Sequence, residues 1–331
     1  MDLHPQEIWN DRYRLARLRP EDWRHLALAS GMIAFLFAMF HFMGNTADAG
    51  RYGRSALAWM VQRWQDSGIS MGQGDYSHGF LVPIASLYVL WRVRFDLLHA
   101  PKRVSGLGLA CVAGALLLHY LGVKTQQTRI SLVALIGLIW SIPFYFYGWQ
   151  VAKRTLFPCA FLIFAVPLNF LDNLTFPLRM VNTQVAVATL QGLGVEVRQV
   201  GSAILGPPFD ASAELKLDVA DPCSGIRSLT AMMALTAIYG YLIMKGPIRK
   251  WLLFLSSIPL AMIGNMFRIT AIGIIAEAFG TDVAAGLIHD YSGFLVFGMA
   301  IALMVGLSFL LNLELRDTLS RCKKKLGDAS I

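Results

Sequence analysis

Charge is what this sequence is short of. Only 15% of its 331 residues are Asp, Glu, Lys or Arg while 56% are hydrophobic, and that balance leaves too little polar surface to cover a water-soluble globule. It also lacks the signatures of several site chemistries: there is no His-Glu-x-x-His zinc spacing, and no glycine loop of the phosphate-binding kind stands out. No cofactor or metal is expected. Cysteine is scarce, with four in the chain, too few and too scattered for a disulfide framework.

What is present is a series of apolar runs. They lie at about 26–43, 79–91, 106–123, 130–149, 155–171, 225–244, 251–275 and 292–312, and a bilayer core takes roughly 20 residues per helical crossing. The expected fold is therefore an all-α polytopic membrane protein of about eight transmembrane helices, forming one integral membrane domain over 1–331. The net charge of +8 comes from short basic clusters between the runs. Such a distribution reports orientation rather than nucleic-acid binding. Arg92, Arg94, Lys102 and Arg103, then Lys153 and Arg154, then Lys245, Arg249 and Lys250 alternate with less basic loops. This pattern places both termini in the cytoplasm, with an arginine-rich N-terminal segment at 1–25 and a basic tail at 313–331. The first run reads as an uncleaved signal anchor, and Ala47-Asp48-Ala49 as the minor alternative of a cleavage site.

The longest interruption, 172–222, belongs on the outer side. Over 173–193, Leu178, Val181, Val185 and Leu190 recur near helical spacing among polar residues, which predicts a helix lying in the interface. Residues 195–205 and 213–219, with Gly206-Pro207-Pro208 between them, predict a small two-stranded β-ribbon in the aqueous phase.

Topology then gathers polar residues at one level. Cys111 and Cys159 fall inside apolar runs and Cys322 in the tail, so Cys223 is the one cysteine expected at the outer face, with no partner there for a disulfide. Asp221 and Pro222 suit the N-cap and first helical position, placing Cys223 in a helix first turn, where unpaired N–H groups and the helix dipole favour a thiolate. Its bland reading is a small buried hydrophobe. Ser224 is a second possible nucleophile but lacks the thiol's intrinsic reactivity. Arg227, one turn further on, is either a snorkelling side chain, a partner for Asp221, or functional.

In the seventh run, Asn265 and Arg268 share a face; counted from Trp251 as one continuous helix, Arg268 rises about 26 Å, to near the outer boundary. A charge inside a membrane helix is a functional candidate by default. Asn265 either orients that arginine or makes a helix–helix hydrogen bond. His289 enters the eighth run from outside, and His78, in Asp75-Tyr76-Ser77-His78-Gly79, enters the second; either can serve as acid/base. His119 and Lys124 read as interfacial anchors.

Pro222-Cys223-Ser224-Gly225-x-Arg227, Asn265-x-x-Arg268, His289 before the last run and Ser77-His78-Gly79 before the second together resemble the exosortase and archaeosortase family of membrane transpeptidases. The resemblance implies Cys223 as nucleophile, Arg268 as stabilising cation and His289 as acid/base, with Arg227, Asn265, His78 and Ser224 as supporting or substrate-binding residues. It further implies secreted protein substrates that carry a C-terminal sorting signal, made of a short Pro-Glu-Pro-like motif, a hydrophobic span and a basic tail. Cleavage would take place at the outer face of the inner membrane, in bacteria that make extracellular polysaccharide. Two other readings compete: a transporter or flippase for an anionic lipid-linked saccharide that uses Arg268, Arg227 and His289, and an assembly scaffold whose polar residues are structural.

Overall fold

A computed structural model describes residues 20–44, 53–65, 76–167, 170–210, 213, 215–218, 226–280 and 297–312. The chain is mostly helical, as backbone groups that must be satisfied without water require, and divides into two compact units. One comprises Met1–Asp66 with Tyr76–Pro167, the other Ser67–Asp75 with Leu168–Ile331.

The first unit contains α1 (Pro20–Met43), α2 (Ala56–Gln65), a 3-10 turn (Ser77–Phe80), α3 (Leu81–Arg92), the short α4 (Arg94–Leu98), α5 (Gly106–Lys124), α6 (Thr128–Tyr147) and α7 (Trp149–Phe161). Helices α5 and α6 are each long and apolar enough to cross a membrane, and they form a hairpin. Lipid gives helices no hydrophobic drive to associate, so close approach of backbones has to supply the contact. Gly108, Ala115 and Gly122, spaced by seven, are the buried residues of α5 and make that approach possible. A Cβ on Gly122 would lie 2.7 Å from Ser131 Oγ, and one on Gly108 would collide with the backbone of Tyr145. The three-residue turn closes with Gln127 N–H donating to Gly122 O at 2.8 Å. At the opposite end Gly148, with φ +78°, reverses the chain into α7, and Trp140 Nε1 donates to Ala152 O across the corner at 2.9 Å.

Helix α3 is fixed to α7 by one buried hydrogen bond, Ser86 Oγ to Pro158 O at 2.6 Å. That carbonyl is available because Leu162 N–H turns to Ala160 O and Cys159 O where α7 tightens into a 3-10 turn, Leu162–Ala165. Cys159 is buried in α7 and Cys111 is half-buried in α5, so both lie within apolar helices as the sequence predicts.

The second unit contains α8 (Phe170–Gly192), β1 (Arg198–Val200), β2 (Ala203–Leu205), β3 (Lys216–Asp218), α9 (Ile226–Ile243), α10 (Pro247–Leu255), α11 (Ser257–Phe279) and α12, the apolar helix Phe297–Asn312. The predicted helix at 173–193 is α8. It buries Asn182, Thr183, Ala186, Val187 and Leu190, while Val181 and Val185 stay exposed. The expected two-stranded ribbon is a three-stranded antiparallel meander. The missed turn is Gly201-Ser202, where Gly201 takes φ +62° and splits 195–205 into a tight hairpin pairing Val200 with Ala203. Val197, Ile204 and Leu215 point the ribbon's apolar residues into a core shared with Ala186 and Leu190 of α8 and Ile269 and Ile272 of α11.

The seventh run is two helices. Pro259 has no N–H to offer the carbonyl four residues back, and its ring crowds that carbonyl, so the helix is interrupted by a turn at Ser256. Pro247–Phe279 as a whole is long and apolar enough to span. The rise to Arg268 within α11 is eleven residues, about 17 Å, rather than the 26 Å of an unbroken helix from Trp251. Before the break, α10 presents Ile248, Trp251, Leu252 and Leu255 outward, while Arg249 Nη1 reaches Asn312 Oδ1 at 3.1 Å. Asn312 Nδ2 also lies 3.6 Å from Met244 Sδ, so the ends of the sixth and eighth runs lie together. Tyr239 OH and Ser308 Oγ, 3.0 Å apart, join α9 to α12 along their length. Residues 1–19, with most of the N-terminal segment 1–25, and the tail 313–331 lie outside the described residues.

Gly122→Leu should destabilise the α5–α6 hairpin by about 1–3 kcal/mol through overpacking. Gly114→Leu, at a position where a Cβ meets nothing within 4 Å, should change it by less than about 0.5 kcal/mol. Thermal unfolding of the two variants in detergent checks the contrast.

Candidate active site

Four of the seven candidate residues have described backbones. Cys223, Ser224 and His289 lie outside the described residues, as do Asp221 and Pro222. Arg227 is the second residue of α9.

Arg268 is the twelfth of the 23 residues of α11, about 17 Å from either end. Asn265, Ile269, Ile272 and Ala276 follow one stripe of that helix, and all four are buried. The lower part of the stripe packs on α8 so closely that a Cβ on Gly273 would fall 2.8 Å from Leu190 Cδ1. Arg268 flanks the stripe and is half-buried. One turn before it, Asn265 is 3% exposed, and its Nδ2 has no hydrogen-bond acceptor among the described residues. A buried amide left unsatisfied costs about 1–3 kcal/mol. Of the two readings open from the sequence, the interhelical hydrogen bond through Nδ2 is not made among the described residues.

His78 sits in the first unit, in the 3-10 turn that leads into α3. Its neighbours explain the local sequence. Trp64 Nε1 donates to Ala165 O at 2.8 Å, and the indole meets Phe80 edge-on with ring centres 5.0 Å apart. Gly79 lies flat against that indole, where any Cβ would collide with it, and Gly79 N–H donates to Tyr76 O at 2.7 Å. The buried Tyr76 ring stands 5.8 Å from the His78 ring. Ser77-His78-Gly79 is thus a tight turn locked by one tryptophan. His119 packs on Phe40 at 4.6 Å and the Lys124 ammonium lies over Tyr120 at 5.7 Å, contacts that suit helix-end anchors.

The sequence readings missed the buried polar face of α8, where Asn182 and Thr183 are 7% and 0% exposed. Their signal was the polar content of that helix, which was read as a solvated side. Among the described residues no cluster of three or more His, Cys, Asp or Glu is placed to hold a metal.

Asn265→Leu removes the amide donor but adds bulk at a packed position, so Asn265→Ala is measured beside it, and at least one of the two variants should melt within a few degrees of the parent protein. A fall of several degrees in both would show that Asn265 is held by a hydrogen bond.

Residues 64–306 match the family described as "Transmembrane exosortase (Exosortase_EpsH)". The comparisons with curated proteins and with solved structures found no match. The matched span is nearly three quarters of the chain, from the tryptophan that locks the His78 turn to the middle of α12. On that span of agreement the chain belongs to the transmembrane exosortase family.

Proposed function

We propose that the protein is a membrane-embedded cysteine transpeptidase or protease acting on secreted proteins with C-terminal sorting signals. The observation that carries this reading is the family match across 64–306, a span that includes Cys223, Arg268 and His289. In the proposed arrangement the protein crosses the inner membrane about eight times as one integral domain, with cytoplasmic termini. The 172–222 segment, its helix, its ribbon and the site all face the periplasm.

The chemistry follows from the residue types. The Cys223 thiolate attacks the scissile carbonyl, and Arg268 stabilises the oxyanion that forms. When the C–N bond breaks, the leaving amine takes a proton from His289, and the acyl group remains on sulfur as a thioester. An acceptor amine or water then attacks, gives its proton to His289, and expels the thiolate. Transfer and hydrolysis differ only in that second nucleophile. His78 is the alternative acid/base, and Arg227, Asn265 and Ser224 are assigned supporting roles. Mid-helix placement of Arg268 also suits the second reading, a transporter for an anionic lipid-linked saccharide, for which no thiol is needed.

Two substitutions separate the readings. Processing of a tagged substrate in cells should be lost with Cys223→Ala and reduced at least about 100-fold with Arg268→Gln, the scale of an oxyanion donor's removal. Full processing with Cys223→Ala, together with loss of function in Arg268→Gln, would replace the transpeptidase by the transporter.

A further inference from the structure

The second unit holds a cavity lined by none of the residues assigned to the site above. Helix α8 ends at Gly194, whose φ of +89° turns the chain back so that Val195 N–H donates to Leu190 O at 3.0 Å. From there the chain runs extended into β1. Val195 and Val197 are buried in the core shared with α8 and α11. Glu196 and Arg198 alternate with them, so both project from the opposite face, where they are exposed. On that face lies a cavity of about 440 Å³, and Gln191, Gly194, Glu196, Arg198 and Phe209 line it.

The lining holds both signs of charge in place without neutralising them. The Arg198 guanidinium carbon lies over the Phe209 ring, 5.1 Å from its centre, a contact that orients the cation and leaves its N–H donors available. The Glu196 carboxylate makes no hydrogen bond or ion pair among the described residues. Gln191 Nε2 donates to Val197 O at 2.8 Å, which fixes the amide and leaves its Oε1 as an acceptor.

The strand beside the cavity is an outer one, since the sheet order is β1-β2-β3. Val200 and Ala203 flank the two-residue turn as a hydrogen-bonded pair, so the next pair, Gln199 with Ile204, is not hydrogen-bonded. The backbone N–H and C=O of Gln199 therefore point away from β2, while the side chains on either side of it, Arg198 and Val200, are exposed. An outer strand of this kind is a template for another strand. Extended polypeptide is the ligand class that uses both features: its backbone pairs with the edge, and its alternate side chains meet those of the edge strand.

We propose that β1 takes an extended segment of a secreted protein as an added strand. An acidic side chain of that segment is set against Arg198 in the cavity, and a basic one, two residues along, against Glu196. The source of the segment rests on the periplasmic placement and substrate class proposed above. The chemistry of the surface does not depend on Cys223.

The test is fluorescence anisotropy with the full-length Cys223→Ala protein in detergent and a short labelled peptide of Thr and Val that carries one Glu and, two residues on, one Lys. Cys223→Ala keeps the peptide uncut, so failure of the transpeptidase reading leaves the measurement unchanged. The peptide should bind, and N-methylation of its alternate backbone amides should weaken binding about tenfold, the loss of one or two hydrogen bonds. Arg198→Glu should weaken it about fivefold, and a peptide with Lys in both charged places should restore the loss. The peptide changes leave the protein intact, which keeps the test informative if Arg198→Glu folds poorly. Absence of binding, or equal binding of the parent and N-methylated peptides, would overturn the strand addition. Binding of every peptide unchanged by Arg198→Glu would overturn the role of the cavity. Peptide binding that falls as protein concentration rises would show the edge paired with a second copy of this chain and overturn the assignment to a secreted protein.

Discussion

A guanidinium at the midpoint of an apolar helix is the constraint on which the second unit depends. An arginine costs about 2.5–3.5 kcal/mol at the centre of a membrane helix by insertion scales and less towards its ends, so in the proposed transmembrane arrangement the side of α11 that carries Arg268 is covered by protein or water. Helices α8 and α9 both pack on α11. The first does so through Ala186, Val187 and Leu190, closing over Gly273, and its Asn182 and Thr183 are buried as well. Ser257, Asn265 and Thr270 of α11 thus sit inside the packing, while Ile263, Phe267 and Ile274 of the same helix stay exposed. A helix that hides its polar residues and shows its apolar ones has the pattern expected of a protein whose solvent is lipid.

The first unit answers the same solvent differently. Its two longest described spans keep their cations at the ends, where Lys124 and Arg129 flank the hairpin turn, and meet through glycine and alanine in between. Among the hydroxyls buried within it, those of Ser86 and Thr155 find backbone carbonyls. Its one candidate for the reaction, His78, sits in the turn that Trp64 and Gly79 shape.

How much of this was legible in the sequence depended on the period of the signal. The runs at 106–123 and 130–149 are α5 and α6 almost residue for residue, because an uninterrupted apolar stretch allows one solution in a bilayer. The ribbon was legible as β structure but not as three strands, since a two-residue Gly-Ser turn leaves no gap in the alternation. The break at Ser256 follows from Pro259, a local signal outvoted by hydropathy averaged over 251–275. The buried face of α8 was illegible for a physical reason: polar side chains were counted as solvated, whereas a partner helix can bury them. Of the candidate site, the i, i+3 relation of Asn265 and Arg268 needed only the helical repeat, and it stands. Cys223 and His289 were placed from the basic clusters and family resemblance, and both lie outside the described residues.

The central claim is that Cys223 carries an acyl group between a sorting signal and an acceptor. Its most direct measurement is mass spectrometry of the mature C-terminus of a sorting-signal protein from cells with the parent enzyme or with Cys223→Ala. The account predicts a defined new C-terminus, free or joined to an acceptor, that disappears with Cys223→Ala and leaves the full-length signal in place. The same C-terminus in both strains would contradict it.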